Sequence, residues 1–106
     1  MKQLAIILMA TTILSACQNK SENLTKNTEA MEKLAKQEIE SLLMTYKGTL
    51  NTSNAEKATS LYTKDGIFMP SGAPSAIGTE QIKGSYDFVF SQIQLNIEFF
   101  IEEITI

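Results

Sequence analysis

The stretch 61–82 constrains the fold of this chain more than any other, because it combines an apolar pair, a turn and both prolines of the sequence. Its opening apolar pair is typical of the inward end of a helix, and Asp65-Gly66 favours chain reversal. The apolar run 67–69 predicts a short strand, which the proline after it ends. The stretch therefore predicts a helix end, a strand, an irregular loop over 70–76 and a new helix start.

Helical periodicity flanks this stretch on both sides. Large apolar residues recur with i, i+3, i+4, i+7 spacing over 34–50, which predicts an amphipathic helix. Ser53 and Glu56 stand three positions apart in a capping-box pattern, which predicts a second, short helix with Ser53 as its N-cap. Thr79 is the predicted N-cap of a third helix.

The final stretch, 95–106, changes its period to two. Apolar and polar residues alternate there, as on a half-buried strand, and the apolar phase shifts at Glu102-Glu103, which fits a β-bulge. That acidic pair suits acid-base work or cation binding by residue type, but neighbours on a strand point to opposite faces, which favours a solvated bulge. The chain is predicted to be α+β, in the order helix, helix, strand, helix, strand.

The first residues have the form of a bacterial secretory leader. Lys2 precedes an apolar run of about eleven residues, which is shorter than the roughly 20 that a spanning helix needs. The string 14–17, Leu-Ser-Ala-Cys, resembles a lipoprotein lipobox. Residues 1–16 are therefore the expected signal peptide, and Cys17 the expected lipidation site; the alternative is a free thiol after an ordinary leader.

The lipobox implies a protein of the cell envelope. A diacylglyceryl group plus an N-acyl chain anchors a protein without spanning the membrane. Gln18 after the cysteine resembles the pattern that directs a lipoprotein to the outer membrane, facing the periplasm, if the cell is Gram-negative. Residues 17–33 then read as a lipidated cysteine followed by a flexible polar tether, because this stretch has few large apolar side chains.

The residue inventory excludes several classes of function. The chain has no histidine and one cysteine, so zinc sites, serine-histidine pairs and intrachain disulfides are excluded. All nine basic residues are lysines and the net charge is -3, which argues against nucleic-acid binding. We expect no cofactor and no metal.

The order and spacing of the motifs over 34–106 resemble the N-terminal part of the nuclear transport factor 2-like superfamily, with its SnoaL-like and ketosteroid isomerase-like members. The resemblance is carried by the first helix (39–50), Asn51-Thr52-Ser53-Asn54, the stretch 61–70 and the stretch 78–82. It implies a curved, mostly antiparallel sheet wrapped around three helices to form a cone-like pocket. The later strands of that sheet would be absent from this chain, so a partial domain or a homodimer that completes the sheet is expected.

The resemblance also implies site residues. In the isomerases of this superfamily a tyrosine on the first helix donates to the substrate oxygen, and Tyr46 matches it. Their aspartate base aligns with Met69 or Pro70, neither of which accepts a proton, so isomerase chemistry is disfavoured. The pocket-lining residues implied by the family geometry are Tyr46, Tyr62, Phe68, Met69 and Phe90.

Each of these residues also has a structural interpretation. Tyr46 and the other pocket candidates at helix and strand spacing are typical of plain core, with the Tyr46 hydroxyl bonded to a backbone carbonyl. Asp65 is a candidate pocket carboxylate with a raised pKa, but Asp before Gly more often forms a turn. The favoured prediction is a small-molecule-binding or assembly module; the alternatives are a SnoaL-like or isomerase-like enzyme using Tyr46 and Asp65, or a non-functional fragment.

Overall fold

The computed structural model describes residues 15–106, with side chains from Lys20 onward. Its elements are α1 (Ser15–Asn51), α2 (Ala55–Ser60), β1 (Ile67–Phe68), β2 (Ala76–Ile77) and α3 (Gly78–Gln92). The predicted signal peptide lies almost wholly outside the described residues, as does the side chain of Cys17. Among the helices of the described part, none combines the length and hydrophobicity needed to cross a membrane.

The chain divides into two compact units, the first of which ends at Leu34. In that unit α1 is helical and its side chains from Lys20 to Leu34 are exposed. The sequence predicted a flexible tether here, and the helix differs from that expectation. Glutamates stand four residues before lysines at 22/26 and 29/33, an order that supports a helix. The Thr25 and Thr28 hydroxyls donate to carbonyl oxygens four residues earlier, at 3.0 and 2.9 Å.

The second unit, Ala35–Ile106, begins with the rest of α1, which ends in a Schellman motif. Ser53 adopts a left-handed φ of 53°. The Asn54 amide donates to the Thr49 carbonyl at 2.9 Å and the Ser53 amide to the Leu50 carbonyl at 3.3 Å. Ser53 thus ends α1. The sequence predicted Ser53 as the N-cap of α2, and this prediction was wrong.

Asn54 caps α2 in its place. Its side-chain oxygen accepts a hydrogen bond from the Lys57 amide at 3.0 Å. The cap lies one residue after the predicted position, because Ser53, with its left-handed φ, belongs to the Schellman motif that ends α1. The short helix that follows buries Ala55, Ala58 and Thr59, and the Thr59 hydroxyl donates to the Ala55 carbonyl at 2.7 Å.

A two-stranded antiparallel sheet connects α2 to α3. Its register pairs Ile67 with Ile77 and Phe68 with Ala76. The predicted irregular loop therefore shortens, because its last residue belongs to β2. The α3 helix starts at Gly78 with Ile77 as its N-cap, two residues before the predicted cap Thr79. The Gln81 side chain accepts from the Ile77 amide at 2.9 Å.

The core lies where α2, α3 and the sheet meet. Ala58 and Ile82 are fully buried, so the small side chain of α2 lets α3 approach closely. Buried residues of this core are Leu50, Ala55, Ala58, Ala76, Ile82 and Tyr86. The described part of the chain is a helix-rich α+β fold with one short antiparallel sheet, and this confirms the coarse fold class.

The last segment, 93–106, is extended after α3 ends. Leu95, Ile97, Phe99 and Ile101 are half-buried, while the residues between them are exposed. The predicted period of two is therefore confirmed over this stretch. Within residues 15–106 no strand pairs with the segment, so the predicted final strand is an extended chain and not part of a sheet.

Candidate functional site

All three tyrosines of the chain meet at one point in the core. Tyr46 comes from α1, Tyr62 from the turn after α2, and Tyr86 from the middle of α3. The hydroxyl oxygen of Tyr86 lies 2.7 Å from that of Tyr46 and 2.9 Å from that of Tyr62. Tyr86 is therefore the centre of a hydroxyl relay that joins three separate elements.

Phenyl rings surround this relay. We call the relay and these rings together the tyrosine cluster (Tyr46, Tyr62, Tyr86, Phe68, Phe90 and Phe99). Phe68 of β1 stacks on Tyr86 with ring centroids 4.7 Å apart, and Phe90 lies one helical turn further, 5.7 Å from the Tyr86 ring. Phe99 of the last segment stacks on Tyr46 at 6.3 Å. The three hydroxyls thus lie within an apolar, aromatic wall.

The number of hydroxyl protons shows how many hydrogen bonds the relay can donate to another molecule. Each tyrosine hydroxyl donates once and accepts up to twice, so the three hydroxyls bring three protons. The two oxygen-oxygen contacts use two of them. Tyr86 is 2% exposed and is enclosed by its partners, so the third donor belongs to one end of the relay. The cluster can donate one hydrogen bond to an acceptor oxygen.

Burial keeps the Tyr46 and Tyr86 hydroxyls protonated. Desolvation raises the pKa of Tyr46 above its ordinary value of 10.0, and this outweighs the opposing effect of the hydrogen bond with Tyr86. Desolvation also raises the pKa of Tyr86, with further support from its hydrogen bonds to Tyr46 and Tyr62. At neutral pH these two groups are donors and not anionic bases.

Four of the five predicted pocket residues lie in the cluster: Tyr46, Tyr62, Phe68 and Phe90. The fifth, Met69, is 76% exposed. Side chains alternate along β1, so Phe68 points inward and its two neighbours point outward. The half-buried Tyr46 bonds to another hydroxyl, and not to the backbone carbonyl that its core interpretation predicted.

Asp65 lies outside the cluster. It is exposed, in a turn that the Gly66 amide closes by donating to the Thr63 carbonyl at 3.0 Å. The turn interpretation of Asp65-Gly66 is therefore confirmed. Glu102 and Glu103 are exposed as well.

Two members of the cluster were not predicted as site residues. Tyr86 lies within the predicted third helix, and Phe99 lies in the alternating stretch 95–106. The signal that marks Tyr86 is the distribution of tyrosines: each occurs on the inward side of a different element. A buried tyrosine needs a partner for its hydroxyl, and another tyrosine supplies one.

The resemblance to known proteins extends over part of the chain. No protein-family model matches the chain, and no curated protein matches it. Among solved structures, a candidate calcium/calmodulin dependent protein kinase II association domain from Xanthomonas campestris is 27% identical, with a TM-score of 0.47. The match covers 51% of this chain and 39% of that one, so this chain spans well under half the length of the protein it matches.

Proposed function

We propose that this chain is an envelope lipoprotein whose nuclear transport factor 2-like domain binds a small apolar ligand carrying an acceptor oxygen. The observation that supports this most directly is the hydroxyl relay of Tyr46, Tyr86 and Tyr62 inside an aromatic wall. The third hydroxyl proton of the relay belongs to an end residue that is only half-buried, so an acceptor oxygen of a ligand can take the hydrogen bond there in place of water.

Tyr46 is the proposed donor to the ligand. It lies at one end of the relay and is half-buried, whereas Tyr86 is enclosed. The superfamily resemblance assigns the same role to this position. When Tyr62 donates to Tyr86 and Tyr86 to Tyr46, each bond polarises the next, and the outward hydroxyl becomes a stronger donor.

Two matched probes test this proposal on the full chain. Acetonaphthone carries a carbonyl oxygen, and ethylnaphthalene has nearly the same apolar surface without it. Calorimetric titration should give tighter binding of the ketone. Tyr46→Phe should weaken ketone binding about threefold to tenfold, as expected for one net hydrogen bond, and leave hydrocarbon binding unchanged.

Thr45→Val is the matched control for this variant, because it removes an exposed hydroxyl from the adjacent residue. It should leave both affinities unchanged. Equal affinity for the two probes in the wild-type chain would contradict a role for the hydroxyl, and the absence of binding by either would contradict the ligand site itself.

Catalysis by Tyr46 and Asp65 is the weaker alternative. Asp65 is exposed in a turn, and Met69 and Pro70 occupy the place of the isomerase base. No described carboxylate belongs to the tyrosine cluster. A donor without a base supports binding and polarisation of a carbonyl, but not proton abstraction beside it.

Envelope anchoring rests on the lipobox and is tested separately. Cys17→Ser removes the acceptor thiol, so incorporation of labelled palmitate into the chain in expressing bacteria should be lost. Palmitate incorporation that survives this substitution would contradict the lipid anchor.

The homodimer remains a prediction of the resemblance. Light scattering after size exclusion of the full chain should give the mass of two copies, together with a cooperative thermal transition. A broad transition with aggregates would support the alternative of a non-functional fragment.

A further inference from the structure

Residues 93–106, which we call the strap, are held against the rest of the second unit by few contacts. The Ile93 amide still donates to the Val89 carbonyl at 3.0 Å, at the end of α3. Beyond it, no backbone-to-backbone hydrogen bond joins the strap to another element within residues 15–106. Its attachment therefore depends on side chains.

One side chain supplies most of the polar attachment. The Asn51 amide group, at the end of α1, donates to the Ile97 carbonyl at 2.9 Å and accepts from the Ile97 amide at 2.7 Å. It thus takes the place of a neighbouring strand for a single residue. Beside it, Lys47 and Glu98 form an ion pair of 3.0 Å whose carboxylate is 66% exposed, and such a pair contributes little.

The inner face of the strap covers part of the tyrosine cluster. Leu95, Ile97 and Phe99 pack against the core, and the Phe99 ring stacks on that of Tyr46 at an interplanar angle of 21°. Tyr46 is the residue to which we assign ligand donation. The strap therefore lies over the proposed binding end of the hydroxyl relay.

We propose that the strap opens about its junction with α3, near the exposed Ile93 and Gln94, and that this opening admits ligand to Tyr46. A segment with few backbone hydrogen bonds and a short list of buried contacts opens at low free energy. Asn51 acts as the latch. This inference rests on the proposed ligand site, but the movement of the strap is measured without any ligand.

Tyrosine fluorescence reports directly on this movement. The chain has no tryptophan and three tyrosines, all in the cluster, so its emission comes from there. Asn51→Ala removes the latch and should increase quenching of that emission by acrylamide. Asn96→Ala, which removes the same amide from an exposed neighbour on the strap, should not. Equal quenching in wild type and Asn51→Ala would overturn the proposal.

A milder variant guards against loss of the fold. Glu98→Gln breaks the ion pair with Lys47 but keeps Asn51, so the Ile97 amide retains its acceptor. Because an exposed ion pair contributes little, hydrogen exchange of that amide should become faster by about fivefold at most, while protection of the α3 amides stays unchanged. Glu102→Gln, the same change at an exposed carboxylate of the strap, should leave the Ile97 exchange rate unaltered. Faster exchange in α3 as well would indicate general unfolding and overturn the proposal of a local opening.

Binding kinetics complete the test. Loss of two hydrogen bonds should raise the open population about tenfold, so stopped-flow association of acetonaphthone with Asn51→Ala should be faster by about the same factor. An unchanged association rate in a variant with increased quenching would overturn gating but leave the binding site intact. Absence of binding in both proteins would contradict the ligand site, while the quenching data would still report on the strap.

Discussion

The hydroxyl oxygens of Tyr46 and Tyr86 lie 2.7 Å apart, although the two residues are 40 positions apart in sequence. The contact joins the first and third helices through two polar atoms surrounded by aromatic rings. Because Tyr62 bonds to the same oxygen of Tyr86, all three helical regions converge on it. We therefore expect the same contact to affect stability and, at the proposed ligand site, recognition of the ligand.

Tyr86→Phe should destabilise the chain by about 1–2 kcal/mol, because it deletes the hydroxyl that two others bond to and keeps the ring packing. Urea unfolding followed by circular dichroism measures this difference. Tyr86→Ala, which also leaves a cavity beside Phe68, should cost about 3–5 kcal/mol. Equal losses for the two variants would mean that the hydroxyl, and not the ring, holds the cluster together.

The pH dependence of stability follows from the direction of the pKa shifts. The pKa values of Tyr46 and Tyr86 are raised in the folded chain above the ordinary 10.0. The folded state then holds these protons more tightly than the unfolded state does. The stabilisation is fully present below pH 10.0 and is lost as the pH rises through the folded pKa values.

We therefore expect the free energy of unfolding to fall when the pH is raised above 10.0, the ordinary tyrosine pKa. Urea titrations on either side of that pH, with tyrosinate absorbance recorded in parallel, measure the effect. Tyr86→Phe should show a shallower decline, because it lacks one of the two shifted groups. A decline of the same steepness in that variant would assign the pH effect to other residues.

Asp65→Asn separates binding from catalysis. Asp65 is exposed in a turn, so its neutral amide should change the free energy of unfolding by less than about 0.5 kcal/mol and leave acetonaphthone binding intact. Tyr46→Phe should weaken ketone binding in the same assay. If Asp65→Asn abolished binding or a turnover found for the full chain, the turn carboxylate would have to be reassigned to the site.

Local sequence patterns predicted much of the fold. The inward positions 39, 43, 46 and 50 of α1, the turn at Asp65-Gly66 and the alternation after 93 correspond to observed features. Leu34 and Leu42, on the same predicted apolar face, are exposed. These signals are local, since each depends on residues within a few positions of one another. The two-residue pairing of Phe68 with Ala76 has no such local pattern, because strands this short carry no period.

The candidate site was predictable only in part, because its residues come together from different segments of the chain. The sequence identified Tyr46, Tyr62, Phe68 and Phe90 as inward residues, but not that their polar tips would meet at Tyr86. That meeting depends on how α1 and α3 are rotated against each other, which no single segment encodes. Met69 was misplaced because a run of three apolar residues does not show which of them faces inward.

Ser53 offers a test of the helix end that the sequence misplaced. Its φ of 53° lies in the left-handed region, which costs a residue with a Cβ about 1 kcal/mol. Ser53→Gly removes that cost, and the Schellman bonds of the backbone are unaffected because they do not involve the side chain. Glycine also raises the conformational entropy of the unfolded chain, and this offsets part of the gain in stability. We expect a net stabilisation of about 0.5 kcal/mol, measured by urea unfolding.

The matched control is Ser41→Gly, at an exposed position inside α1. The same substitution should destabilise the chain there by about 0.5–1 kcal/mol, because glycine is a poor helix former. Opposite signs at the two serines would locate the end of α1 at Ser53 in solution. A loss of stability in both variants would instead mean that Ser53 is helical or serves as the N-cap of α2, as its sequence pattern predicted.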